Sequence, residues 1–202
     1  MLPEAVLAFD TSAAHCAAAL LCGDLLIQRS EDMDKGQAER LIPLLEEVLA
    51  EGGLGWRDLA AIAVGTGPGN FTGVRIAVAA ARGLALGLDI PAIGVTRLES
   101  LAYDLPRPVT VVEDARRGEV YVQCFTDNGA EAAYMAPAGV PVAGKVTGSG
   151  VTGGLLAAVP LVEAIARIAL SRLGTDQPRP APFYLRGADA APPSDPPPVI
   201  LP

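Results

Sequence analysis

The chain has 202 residues, of which half are hydrophobic and 19% are charged, and its formal net charge is −8 with an isoelectric point near 4.6. This composition excludes a largely disordered chain, and no apolar run is long enough to span a membrane without Gly, Pro or a charge interrupting it. The acidic balance argues against unaided nucleic-acid binding, and the start of the chain lacks the basic region of a secretion signal, so we expect a cytoplasmic protein.

The N-terminal part of the chain has the pattern of three short strands. The apolar segments are joined by turn sequences, and Cys22-Gly23-Asp24 is typical of a tight hairpin, so we predict an antiparallel meander. Its strands are Ala5 to Phe9, Cys16 to Leu21 and Leu25 to Arg29.

The segment from Gln37 to Glu51 predicts an amphipathic helix. Leucines recur on one side at helical spacing, and glutamates occupy the other side. The apolar arc is wide, because it also takes in Ile42 and Leu49. We therefore expect this helix to carry part of a surface that contacts another protein.

A glycine-rich run, Gly65 to Arg75, joins a predicted strand at Ala61 to Val64 to a helix that continues to about Leu88. Its glycines permit the tight turn that a strand needs before a helix folds back across the sheet, and Asn70 or Thr72 can cap that helix.

The same helix is apolar almost all round, although the outer side of a monomer's surface helix should be polar. Small residues lie on the side expected to face the sheet. The opposite side combines two arginines with apolar residues, as the centre of a protein interface does: Phe71, Thr72, Arg75, Val78, Ala79, Arg82, Ala85 and Leu86. The alternative is a helix buried in an α/β core, which accounts for the apolar residues but not for the two arginines.

The remaining elements complete one α/β unit and begin a shorter copy of it. A strand at Ala92 to Val95 and a helix at Arg97 to Tyr103 give the order βββαβαβα, which is that of a ribonuclease-H-like unit. After a linker, Pro106-Arg107-Pro108, the pattern restarts with strands at Val109 to Val112, Glu119 to Phe125, Glu131 to Met135 and Lys145 to Ser149, and a helix at Leu161 to Leu173.

Duplicated units of this kind occur in actin/Hsp70-like (ASKHA) architectures. The predicted fold class is therefore α/β, with two ribonuclease-H-like units of which the second is truncated. We place an N-terminal domain with partner-binding helices at residues 1–105, a smaller α/β domain at 106–189 and a Pro-rich tail at 190–202. Pro182 to Arg186 is expected to be ordered, because its aromatic residues need a surface to pack against.

Residues that could carry catalysis are sparse. His15 is the one histidine, so the chain offers neither a His cluster for zinc nor a Ser-His-Asp triad, and a peptidase has little support. His15 lies beside a turn, where we expect a surface residue. Cys16, Cys22 and Cys124 form no CxxC pair and are expected to be buried reduced thiols. We expect no metal site and no cofactor.

Asp10-Thr11-Ser12 lies where an actin-like fold would hold phosphate, but Ala13 follows instead of a glycine. The loop from Gly65 to Gly73 lacks the Lys-Ser/Thr pair of a P-loop. A stand-alone actin-fold ATP-binding phosphotransferase or hydrolase built on these residues is the alternative function that stays open.

Between two predicted strands, the segment from Asp114 to Glu119 concentrates opposite charges on a tight turn. Asp114, Arg116 and Glu119 are candidates for contacts within an assembled complex. The alternative is a solvated hairpin whose exposed ion pairs each contribute ~0–1 kcal/mol.

Four segments, in order and over nearly the whole chain, resemble the bacterial TsaB family. They are Ala8-Phe9-Asp10-Thr11-Ser12, the glycine run Gly65 to Arg75, Asp114 to Tyr121, and Tyr184-Leu185-Arg186. The resemblance implies a non-catalytic scaffold required for threonylcarbamoyl transfer to the adenosine beside the anticodon of tRNAs that read codons starting with A.

The resemblance also implies partners. Such a scaffold pairs with a TsaD-like catalytic subunit, which holds the metal and performs the transfer, and it supports a TsaE-like ATPase. From the residues themselves we expect a homodimer when that partner is absent, because of the apolar outward face, tRNA contact only through the complex, because of the acidic charge, and no membrane contact. We expect the outward faces of the two long helices to dock against equivalent helices of the partner.

Overall fold

Two β-sheets with related strand orders organise the chain, and the computed structural model describes them within residues 3–186. The strands of the first sheet are β1 (Ala5–Asp10), β2 (His15–Cys22), β3 (Leu25–Asp32), β4 (Leu59–Gly65) and β5 (Ala92–Val95). They lie in the order β3-β2-β1-β4-β5. The first three pair antiparallel, whereas β4 runs parallel to β1 and β5 runs parallel to β4.

Helices cover both faces of the first sheet. The described helices are α1 (Gln37–Glu51), α2 (Phe71–Leu88), α3 (Arg97–Leu101) and α4 (Leu161–Ser171). Because successive strand residues point to opposite faces, Leu7 and Phe9 pack with α1 and α2, whereas Val6 and Ala8 pack with α4. The central strand β1 is buried on both faces as a result.

The second sheet repeats the strand order of the first but has no counterpart of β5 among the described residues. Its members are β6 (Val109–Asp114), β7 (Glu119–Thr126), β8 (Gly129–Ala130), β9 (Tyr134–Pro137) and β10 (Lys145–Thr147). β7 pairs antiparallel with β6 and with β9, and β10 pairs parallel with β6. This arrangement confirms the predicted fold class, an actin-like architecture of two ribonuclease-H-like units with a truncated second unit.

Most predicted elements are present within a residue or two of their expected ends. The helix Gln37–Glu51 and the strand Ala92–Val95 have the predicted bounds. The strand predicted at Glu131 to Met135 is displaced along the chain: β9 includes only Tyr134 and Met135 of that stretch, and it pairs antiparallel with β7 as a third strand. The division of the chain at residue 105 remains a proposal, and the predicted tail at 190–202 lies outside the described residues.

The segment Pro182 to Arg186, hereafter the strap, crosses between the two sheets. The Phe183 N–H donates to the Thr66 carbonyl at 2.8 Å, at the end of the first sheet. Phe183 and Leu185 pack into the core of the second sheet. The prediction that this segment is ordered is confirmed.

α2 is the one described helix that is long and apolar enough to span a membrane by length and composition. Its mean hydropathy is 1.4, and a third of its residues are buried inside the protein. Because its buried side packs against β4 and its outer side carries arginines, it is a core helix of this fold.

Candidate functional site

The start of α2 is packed directly against the turn between β1 and β2. The Asn70 side chain accepts hydrogen bonds from the N–H groups of Thr72 and Gly73, both at 3.0 Å, which confirms Asn70 as the helix cap. The Thr11 hydroxyl donates to the Gly73 carbonyl at 2.7 Å. A Cβ at Gly73 would lie 1.9 Å from the Thr11 carbonyl oxygen, so only glycine permits this approach.

That turn is organised by the carboxylate of Asp10, which is 1% exposed. Its Oδ1 accepts hydrogen bonds from the Ser12 N–H at 2.9 Å and the Ser12 hydroxyl at 2.8 Å, and lies 2.8 Å from Nε2 of His15. Burial by itself raises the pKa of Asp10, but His15 and Ser12 together hold that pKa below its ordinary value. The prediction of His15 as a surface residue is wrong, because its ring lies beside Asp10 and is mostly covered.

These contacts engage polar groups of Thr11 and Ser12, in the turn where an actin-like fold would hold phosphate. Both the N–H and the hydroxyl of Ser12 donate to Asp10, and the Ser12 carbonyl accepts the Asn70 N–H at 2.6 Å. A Cβ at Gly69 would lie 2.3 Å from that same carbonyl. The turn is therefore closed against the glycine loop.

On their outer sides, α1 and α2 leave a set of residues exposed, which we call the α1–α2 face. Leu86 is 76% exposed, Phe71 40% and Ile42 38%, which is high for large apolar side chains. A Cβ added at Gly83 or Gly87 would meet nothing within 4 Å among residues 3–186, so the described part of the chain does not fill the space above them. The face consists of Ile42, Phe71, Thr72, Arg75, Ala79, Arg82 and Leu86.

Three residues predicted for the outward side lie in the interior instead. Val78 is 2% exposed, Leu49 is 3% exposed and Ala85 is 6% exposed. The reason is that α2 contacts α1 as well as β1, β4 and β5, so its buried arc is wider than a stripe facing the sheet. Helical spacing alone does not reveal the second neighbour.

A cleft of about 1070 Å³ opens between the start of α2, the strap and the turn from Asp114 to Glu119. At its edge the Tyr184 ring stacks on Phe71 with centroids 5.1 Å apart. The Arg75 guanidinium lies 3.7 Å from the centroid of the Phe71 ring, and its Nε donates to the Tyr184 hydroxyl at 2.9 Å. Two residues of the α1–α2 face therefore also contact the strap.

The turn from Asp114 to Glu119, hereafter the charged turn, is fixed from both sides. On one side the Asp114 N–H donates to the Ser149 hydroxyl at 3.0 Å. On the other, the Arg186 guanidinium of the strap donates to the Ala115 carbonyl at 3.2 Å and pairs with the Glu119 carboxylate. Glu119, predicted as a contact of the complex, thus has a partner within the chain.

The backbone of the charged turn is left-handed at consecutive residues. Arg116 has φ 63° and Arg117 has φ 56°, and Gly118 follows at 74°. The left-handed conformation costs ~1–2 kcal/mol for a residue with a Cβ, and the Asp114 carboxylate offsets part of this by accepting the Arg116 N–H at 2.9 Å. The roles of Asp114 and Arg116 in a complex stay predictions.

The remaining chemistry-bearing groups are dispersed. Among residues 3–186, no group of three or more His, Cys, Asp or Glu side chains could hold a metal ion. All three cysteines are free thiols, and burial raises the pKa of Cys16 to about 11. Cys22 and Cys124 are only partly buried, so the prediction of buried thiols is confirmed for Cys16.

The chain is similar to proteins of a known family. A family model described as TsaD: tRNA N6-adenosine threonylcarbamoyltransferase matches residues 31–188. The chain is 40% identical over 121 residues to the tRNA threonylcarbamoyladenosine biosynthesis protein TsaB of Haemophilus influenzae, covering 57% of this chain and 51% of that protein. The TsaB of Escherichia coli is 38% identical over 121 residues, with 57% and 52% covered. The chain spans about half the length of these curated relatives.

Other matches cover nearly the whole chain. An uncharacterized protein of Mycobacterium tuberculosis is 34% identical over 204 residues, which is 93% of this chain and 94% of that protein. The crystal structure of an uncharacterized Pseudomonas aeruginosa protein, described as similar to the peptidase YeaZ, superposes with a TM-score of 0.73 at 30% identity and covers 91% of this chain and all of that one.

Proposed function

Because the chain belongs to the TsaB family, within the wider TsaD-related group whose model it matches, we propose that it is a non-catalytic subunit of tRNA threonylcarbamoyladenosine synthesis. It acts by docking through the α1–α2 face on a TsaD-like subunit that performs the transfer. In the absence of that partner, the same face pairs with a second copy of the chain.

The single observation that carries this proposal is the composition of the α1–α2 face. Leu86, Phe71 and Ile42 are exposed, α2 contains no acidic residue, and two arginines, Arg75 and Arg82, flank its outer side. Arginine and aromatic residues with few lysines or glutamates are typical of the centre of protein interfaces.

The open glycines support close contact with another helix. An exposed glycine inside a helix costs ~1 kcal/mol relative to alanine, and no residue that the structure describes occupies the space above Gly83 or Gly87. A partner helix crossing at this point could approach the α2 backbone closely. Docking thus gives a reason for two glycines that folding alone does not supply.

The non-catalytic role is supported by the chain's own chemistry. The chain has one histidine, His15, and its ring is engaged with Asp10. The turn that would hold phosphate in an actin-like fold is closed by its own hydrogen bonds. We assign the metal and the transfer step to the partner, and tRNA contact and support of a TsaE-like ATPase to the assembled complex in the cytoplasm.

The docking role is tested by measuring the affinity of the purified chain for a TsaD-like subunit. Ala79→Glu places a charge on the exposed face, whereas Val78 is unsuitable because its side chain is buried. We expect Ala79→Glu to weaken binding by ~30-fold or more, since central interface residues are worth about 2 kcal/mol. Ala132→Glu is the matched control, because Ala132 is exposed in the second unit, away from α1 and α2.

Equal affinities for the two variants would reject the α1–α2 face as the docking surface. Calorimetry with MgATP on the isolated chain addresses the alternative function. We expect no binding at millimolar nucleotide, and saturable binding would return the ATP-dependent phosphotransferase or hydrolase to consideration.

A further inference from the structure

Beyond the proposed function, we propose that the cleft between the start of α2 and the charged turn binds an acidic segment of a partner protein. Five arginines and only two carboxylates line this cleft, in a chain whose net charge is −8. A cleft of one sign in a protein of the opposite sign focuses the field and attracts anionic groups to that place. This site is separate from the exposed middle and end of α2.

Two of the arginines have guanidinium N–H groups that make no hydrogen bond to the described residues. The Arg116 guanidinium has no ion pair or side-chain hydrogen bond among the described residues, and Arg75 uses only its Nε, toward Tyr184. In contrast, Arg97 is paired with Glu113 at 2.8 Å and Arg186 with Glu119. The cleft therefore has paired arginines that build its walls and unpaired guanidinium groups that can bind carboxylates.

The charged turn holds Arg116 in one place. Ser149 and the strap fix the backbone on either side of the turn, and the Asp114 carboxylate accepts the Arg116 N–H at 2.9 Å. A residue with a Cβ rarely adopts the left-handed conformation seen at Arg116. Because the backbone is already ordered, binding requires little reorganisation beyond the arginine side chain.

Carboxylates fit this site better than a nucleic acid does. The guanidinium fork binds a carboxylate or a phosphate through two parallel hydrogen bonds, so the charge around the cleft decides between them. A polynucleotide leaving the cleft would meet the acidic remainder of the protein, whereas a short peptide remains within the positive region. The volume of about 1070 Å³ is at the upper end for small-ligand pockets and accommodates a short extended segment.

The test is a fluorescence anisotropy titration of the full chain with fluorescein-labelled octaglutamate. We expect saturable binding that weakens about tenfold or more in Arg116→Glu and less than about twofold in Arg57→Glu. Arg57 is the matched control because it is exposed and lies outside the cleft. Thermal melts establish that both variants are folded.

Three results would overturn the proposal: no binding of octaglutamate, equal loss in the two variants, or tighter binding of labelled octauridylate than of octaglutamate. Leu86→Glu, on the docking face but about three helical turns from Arg75, serves to separate this site from the docking face. It should leave octaglutamate affinity unchanged, so a failure of the docking proposal and a failure of the cleft proposal give different patterns.

Discussion

The two sheets share a strand order but are supported in different ways. The first sheet is covered by α1 and α2 on one face and by α4 on the other. The second sheet has α3 and the strap on one face, while on the other Val112, Val120 and Val122 are covered by residues outside the helices and strands, such as Val140 and Val151. The truncated unit keeps the topology of its fuller counterpart by taking core residues from the rest of the chain.

This difference explains where the exposed sites lie. In the first unit, one side of α2 is buried and its other side remains exposed to solvent, so this helix can contact another protein. The second unit contributes a turn rather than a helix, and the strap holds that turn against the first unit. The cleft lies between the start of α2 in the first unit and the charged turn of the second unit.

The largest expected effect comes from breaking the first unit at the contact between α2 and the β1–β2 turn. Gly73→Ala should reduce the free energy of unfolding by about 3 kcal/mol, because the new Cβ would lie 1.9 Å from the Thr11 carbonyl oxygen. Gly83→Ala is the control in the same helix and should raise it by up to ~1 kcal/mol. Urea unfolding of both variants checks this, and similar values for the two would contradict the described packing.

Native-state hydrogen exchange measures how differently the two sheets are stabilised. We expect amides of β1 and β4 to exchange only through global unfolding, whereas those of β9 and β10 exchange through openings that cost ~2–3 kcal/mol less. The reason is that no helix covers the outer face of the second sheet in the described structure. Equal protection of both sheets would show that the second unit is as well supported as the first.

A smaller effect is expected at Asp10. Because its folded-state pKa is lowered, its contribution to stability is fully present above the ordinary aspartate pKa of about 4 and is lost as the pH falls through the folded value. Asp10→Asn should destabilise the protein by ~1–2 kcal/mol at neutral pH. The difference from wild type should shrink below about pH 4, and a difference independent of pH would contradict a charged, hydrogen-bonded Asp10.

The smallest expected effect is a difference in the rate at which a reagent modifies one thiol in each sheet. Cys16 is buried in the first sheet and its pKa is raised to about 11, whereas Cys124 in the second sheet is partly exposed. A thiol reagent at pH 8 should therefore modify Cys124 well before Cys16, because the thiolate is the reactive form. Peptide mapping of the labelled protein measures both rates, and equal rates would argue against the buried position of Cys16.

The sequence pattern is sufficient for the architecture, because period and turn chemistry are local properties. The continuous apolar run of β1, the hairpin at Gly23 and the leucine spacing of α1 each indicate their element without reference to the rest of the chain. In contrast, which further side of a helix is buried by a second neighbouring element depends on the tertiary fold, not on the local sequence. Val78 and Leu49 were predicted to face outward, but both are buried, Leu49 in the core that α1 shares with α2.

The pairing of His15 with Asp10 was missed for a related reason. Asp10 ends β1, and His15 begins β2 five residues later. Their side chains meet because of the turn and register that join the two strands, and the sequence does not specify that register. The Asp-Thr-Ser turn was the available signal, and it was interpreted as a lost phosphate site. The strap's contact with the charged turn joins residues about 70 positions apart, which no local pattern specifies.

The role that we propose for the chain is to serve threonylcarbamoyladenosine synthesis by docking through the α1–α2 face. It is tested most directly by mass spectrometry of that nucleoside in tRNA from cells depleted of this protein and supplied with wild type, Ala79→Glu or Ala132→Glu. We predict that depletion lowers the modification, that wild type and Ala132→Glu restore it, and that Ala79→Glu does not. Full restoration by Ala79→Glu, or a level that never changes on depletion, would contradict this role.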